Sequence, residues 1–153
     1  MDVAITLLGG FRVSVGGVAI ADDAWGRRSA AALVKLLSLA PGRRLHREQV
    51  IDALWPEIEV GDAGPRLHKA AHFARRSLGE QTTGVVLRGD IVLLLPDDDV
   101  EVDAVMFDAD ARAVLASGDA DDAAAVVDDY GGTLLPDDLY EPWLEEARER
   151  LRI

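Results

Sequence analysis

Apolar and polar positions first alternate along this chain and then fall into a helical period. "VAITLL" and "RVSV" are short β-rich runs, and "GG" at 16–17 followed by "VAI" reads as a two-residue hairpin turn. From Ser29 to Ala40 the apolar positions 32, 33, 36, 37 and 40 keep helical spacing, with Ser29 as N-cap and "PG" at 41–42 as stop. "REQVIDALW", 47–55, predicts a second, shorter helix that Pro56 closes and His46 can cap. The Pro/Gly content of "PEIEVGDAGP" predicts a loop of about ten residues. A third helix is expected from about Asp62 to Leu78, ended by Gly79. "GVVLRGDIVLLL" then carries two β-branched runs around "RGD", the pattern of another hairpin.

After "PDDDVEVD", of which "DDD" at 97–99 reads as a solvated linker, the helical period takes over. Phe107, Ala111, Val114 and Leu115 mark the inner face of one helix, stopped by Gly118. Asp119 can cap a second, with Ala123, Val126, Val127 and Tyr130 inside, which makes an αα-hairpin. "GGTLLPDDLYEPW" leads into a last helix, "WLEEARERLRI", with Glu145 and Glu146 near its start and Arg148, Arg150 and Arg152 near its end, as the helix dipole favours. The change of character places a boundary near 97–103, dividing the chain into 1–97 and 98–153.

Composition narrows the class. A chain of 153 residues that is 49% apolar and 29% charged is a globular protein of one medium or two small domains. It has no cysteine, which excludes disulfides and thiolate metal sites. No apolar run approaches the roughly 20 residues that span a bilayer, and the acidic start "MDVAITLLGG" is no signal peptide, so the cytoplasm is the expected compartment. The net charge of −12 argues against nucleic acid only if it is evenly spread. Residues 25–79 carry ten Lys and Arg against five Asp and Glu, together with all three histidines; residues 80–153 carry five against twenty. A basic module is joined to an acidic one, and the basic one is suited to a polyanion.

The third helix concentrates that charge. At about 100° per residue, Leu67, Ala70, Ala71, Ala74 and Leu78 form one stripe, mostly of small side chains, that faces the core. The other side carries Lys69, His72 and Arg76, flanked by Arg66, His68 and Phe73, with no acid after Asp62. A purely structural surface helix interleaves acids to make i,i+4 pairs, whereas this one leaves its cations for an outside partner. A short helix, a turn, a long helix and a β-hairpin make the winged form of helix-turn-helix, whose long helix fits the major groove. On that reading Lys69, His72 and Arg76 face base edges or phosphates, Arg66 and Arg75 contact phosphates, and Arg88 serves the wing. Phe73 either touches thymine methyls or packs against the wing.

"LLGGFRVSVGG", "RRLHREQVIDALWPE" and "RLHKAAHFARRSLG" resemble the OmpR/PhoB-type winged-helix domain of the Streptomyces antibiotic regulatory protein (SARP) family. "EVDAVMFDADARAVLASGDADDAAAVVDDYGGTLLPDDLYEPWLEEARERLRI" resembles the opening of the bacterial transcriptional activation domain that follows it in that family. The resemblance implies an α+β winged helix-turn-helix with an N-terminal antiparallel sheet and a C-terminal wing hairpin, followed by an all-α tetratricopeptide-like segment. It implies a bacterial, DNA-binding transcriptional activator whose loop at Pro56, Glu57, Ile58 and Glu59 faces RNA polymerase, and self-association on tandem DNA sites. The chain departs from the family in two respects. Members often carry Arg where Phe73 stands, and their activation domain is longer, so a piece of a longer regulator is expected.

Other chemistry is poorly supported. His68 and His72 stand at i,i+4, a spacing that can bind zinc, but "HKAAH" lacks the glutamate of a metalloprotease motif and has no third ligand. "DDD" at 97–99 lacks the Gly and Glu spacing of a calcium loop. Asp137, Asp138 and Glu141 form no acid/base pair, and no nucleophile set or phosphate loop appears, so neither an enzyme nor a cofactor is expected. Trp25, Trp55 and Trp143 read as core or inter-domain packing. The rival reading is a protein-interaction module that no longer binds DNA, its acidic helical part docking a partner or masking the basic helix.

Overall fold

A twelve-residue amphipathic helix is the axis on which this chain folds. The computed structural model describes residues 1–118 and 132–151. In it α1 (Arg28–Leu39) buries Ala30, Leu33, Val34, Leu36 and Leu37, too many positions for a single covered face. Sheet strands cover one side of it and two further helices, α2 (Arg47–Leu54) and α3 (Val60–Leu78), the other. The fold is mixed α+β.

The first sheet has the order β3-β2-β1-β7, from β1 (Asp2–Thr6), β2 (Arg12–Val15), β3 (Val18–Ala19) and β7 (Asp99–Val102). Val15 pairs with Val18 across Gly16 and Gly17, both at positive φ, which is the two-residue turn read from "GG". The second sheet has the order β4-β6-β5, from β4 (Arg44–His46), β5 (Val85–Arg88) and β6 (Ile91–Leu94). Arg88 pairs with Ile91 around Gly89 and Asp90, so "RGD" closes a hairpin. His46 caps α2: its Nδ1 accepts from the Glu48 amide and its own amide donates to Gln49 Oε1, a complete capping box.

Several expectations need correcting. The N-cap of α1 is Arg27, with no side-chain cap, and Ser29 lies inside the first turn. The ten-residue loop shrinks to half, because α3 starts at Val60 and takes in Gly61, Gly64 and Pro65. The Glu59 carbonyl accepts from the Asp62 and Ala63 amides, and the buried Ala63 anchors that first turn. Gly64 allows Arg47 to lie close, since a Cβ there would stand 3.3 Å from Arg47 Nη2. The run read as a linker leads straight into a strand, which Asp99 opens: β7 runs parallel to β1, so the N-terminal sheet is mixed rather than antiparallel. With only Val100 and Val102 turned inward, β7 is too short to show an alternation, and its partner lies almost a hundred residues away.

The second half begins with α4 (Asp103–Ser117), stopped by Gly118 in the left-handed conformation. Phe107 is buried and Ala111 and Val114 are half-buried, but Leu115 is 74% exposed and not an inner residue. The helix read from Asp119 through Ala123, Val126 and Val127 to Tyr130 lies outside the described residues, as does Arg152. A short 3₁₀ turn at Pro142–Leu144 leads into α5 (Glu145–Arg150), with the two glutamates and two arginines at the ends anticipated.

The two halves meet along β1. Asp103 Oδ1 accepts from the Leu7 amide at 2.7 Å and Oδ2 from Leu8 at 3.1 Å, while Oδ1 also accepts from Ala104. The Gly9 amide donates to Thr133 and the Leu135 amide to Leu7, each at 2.7 Å. Lys35 on α1 reaches Asp138 at 2.7 Å, both side chains mostly covered. Trp25 is buried, and Trp55 and Trp143 pack half-buried against the same core.

Asp98, inside the "DDD" run, is almost fully buried and accepts from the Thr83 amide and hydroxyl, with the N-terminal ammonium 3.5 Å away. Burial alone would raise its pKa, but the Thr83 hydroxyl, the Thr83 amide and the ammonium together outweigh burial and hold it below the ordinary 3.8. A carboxyl whose folded pKa is depressed stabilises the fold above its unfolded value and stops doing so as pH falls through the folded one. Asp98→Asn is therefore expected to lower the melting temperature at neutral pH, with the gap to wild type narrowing progressively as the pH falls below about 4. A gap that stays constant across that range would contradict the assignment.

Candidate nucleic-acid interface

Each cation of α3 is placed by what the opposite side of the helix buries. Leu67, Ala70, Ala71, Ala74 and Leu78 are all buried, and the three alanines let α3 approach α1 closely. That packing turns Arg66, His68, Lys69, His72, Arg75 and Arg76 outward, and all six are exposed. Among the described residues none of them lies within ion-pair distance of an acid. The acidic half does engage the first half, but through Asp138 on Lys35 of α1. Among the described residues its carboxylates leave the outer face of α3 open.

Arg75 has a structural task as well. Its Nε donates to the Val85 carbonyl at 2.6 Å, and its stem lies on Gly84, where a Cβ would come within 3.2 Å of Arg75 Cγ. Arg75 thus fastens the β5–β6 hairpin beside α3. Arg88, at the other end of β5, is exposed and stands about 10 Å along the strand from that anchor. The hairpin tip is tied as well, because the Asp90 carbonyl accepts from the Arg47 amide at 2.7 Å.

Phe73 meets a corner of the fold on one side and the open groove on the other. It is half-buried and lies on the Gly26–Arg27 corner just before α1, so its packing partner is that corner. The Arg27 guanidinium carbon sits 5.0 Å from its ring centroid, and His72 meets it edge-on at 5.5 Å. Sequence reasoning missed Arg27 and Arg28. Both line an open groove with Arg66, Lys69 and Phe73, and "GRR" after Trp25 was the available signal. Glu57, Ile58 and Glu59, from the loop expected to face polymerase, form another wall of this groove with Asp62, while Pro56, just before them, is exposed and outside the groove lining.

Among the described residues no group of three or more His, Asp or Glu side chains is placed to hold a metal, and no helix is long and apolar enough to cross a membrane. No model of a known protein family matches the chain. No curated protein matches it. Among solved structures, Mycobacterium tuberculosis EmbR in complex with a low affinity phosphopeptide is similar, with a TM-score of 0.70 over 94% of this chain at 20% identity. The chain spans 40% of that chain's length. The likeness is one of fold.

Proposed function

We propose that this chain is a transcriptional regulator of the SARP kind that binds double-stranded DNA sequence-specifically and activates by contacting RNA polymerase. One observation carries the reading: the outer face of α3 is cationic, exposed and unpaired among the described residues, in a chain whose net charge is −12. Burying that face in a duplex replaces solvent by phosphate and releases condensed counterions, the largest electrostatic gain open to such a surface.

In this reading residues 1–97 are a winged-helix DNA-binding domain and residues 98–153 begin a tetratricopeptide-like activation domain. α2 and α3 act as helix-turn-helix and β5–β6 as wing. Lys69, His68, His72 and Arg76 face base edges or phosphates, Arg66 and Arg75 hold backbone phosphates, and Arg88 contacts the backbone from the wing. Arg75 fits this role through its terminal nitrogens, its Nε being held by Val85. The loop Pro56–Glu59 meets the polymerase, and two copies occupy tandem half-sites. The fold likeness to EmbR agrees with a regulator.

The test is a titration of the chain against duplex DNA at several salt concentrations. Binding should weaken steeply with salt, with log K falling by several units per decade, since each neutralised phosphate contributes about 0.9 to the slope. Failure to bind, or binding indifferent to salt, would overturn the reading.

A further inference from the structure

We propose that Arg27 is a phosphate ligand of the duplex-binding surface and that Phe73 is the residue that positions it. The inference rests on the DNA-binding reading above and carries it to a corner of the fold outside α3.

The corner is shaped to the ring. Gly26 has φ 72°, and a Cβ there would stand 3.0 Å from Phe73 Cδ1, so the backbone approaches the ring more closely than another residue allows. Trp25, buried and packed on Phe11 at 5.3 Å, fixes the chain just before this point. Arg27 then leaves the corner with its guanidinium over the face of Phe73.

An aromatic face attracts a cation through its quadrupole but accepts no N–H bonds in the guanidinium plane. The donors of Arg27 stay available while its side chain is held, which reduces the entropy lost when an anion is bound. Acids are at hand. Asp22 and Asp23 share one cleft with Arg27, and Glu57, Glu59 and Asp62 share another. None of them reaches ion-pair distance. A guanidinium kept off these carboxylates and laid on a ring beside Arg66 and Lys69 is arranged for an anion from outside, and on this surface that anion is a DNA phosphate. The aromatic residue in the middle of a basic face then has a purpose: it holds a neighbouring element's cation in the row.

Fluorescence anisotropy with a labelled duplex of about 30 mixed base pairs, titrated with the full chain across a range of salt, reads the number of phosphates engaged. Arg27→Ala should lower the magnitude of the salt slope by about one and weaken binding several-fold at moderate salt. Phe73→Leu should reproduce that loss, the double variant should be no worse than either single one, and Phe73→Tyr, which keeps the ring, should restore the slope. A merely structural role for Phe73 would lower the melting temperature without this pattern in the slope. If Arg66→Ala lowers the slope while Arg27→Ala and Phe73→Leu leave it unchanged, this inference falls and the DNA-binding reading stands. If the wild-type chain does not bind the duplex, both fall.

Discussion

Replacing Lys69 and Arg76 together by alanine is expected to weaken binding to a cognate duplex by about 1–3 kcal/mol for each side chain that reaches a base, which is roughly 5- to 150-fold per residue. The melting temperature should hardly move, because both side chains are exposed and without ion pairs among the described residues. That combination makes this pair a cleaner probe than Arg75, whose loss would also release the Val85 carbonyl and loosen the hairpin. The salt slope sorts the two roles. Removing a cation that neutralises a phosphate lowers the slope by about one for all sequences. Removing one that reads a base leaves the slope nearly intact and flattens the preference for one site over others. Full affinity in the double variant would remove the outer face of α3 from the interface.

Asp103→Ala is expected to be the most damaging single change in the second half, costing about 2–4 kcal/mol of folding stability. The carboxylate receives three amide hydrogens, from Leu7, Leu8 and Ala104. A hydrogen bond to a charged acceptor contributes about 1.5–3 kcal/mol, and the three here share one half-buried carboxylate, so their contributions do not add in full. Asn should rescue only part of the loss, since its amide nitrogen would meet one of those donors with another donor. Urea unfolding measures the cost, and hydrogen exchange at the Leu7 and Leu8 amides should quicken in the variant. Unaltered stability and exchange would mean that the carboxylate is not the tie between β1 and α4.

Elements with a local signature are legible in the sequence. The helical spacing of apolar side chains in α1, the Gly-Gly turn after β2, the His46 cap and the small-residue stripe of α3 all declare themselves over a short length of chain. What stays hidden depends on partners distant in sequence. β4 has three residues and exists because β6 returns alongside it; β7 exists because β1 lies beside it. Pro65 suggests a loop, and the helix nevertheless forms around it, anchored by Ala63 and accommodated by two glycines. The candidate site divides in the same way. The cations of α3 can be read from their spacing, whereas Arg27 joins them only because Gly26 brings its backbone against Phe73, nearly fifty residues further on.

The parallel pairing of β7 with β1, together with the Thr133–Leu135 segment bonded beyond the end of β1, bears on where this chain can be cut and rejoined. A splice at residue 97 would cut through a shared sheet and separate Asp98 and Asp103 from the groups that they satisfy. Chimeras meant to move the first half onto another effector are better joined beyond Leu135, so that the surface proposed to bind DNA travels with the clasp that closes its sheet.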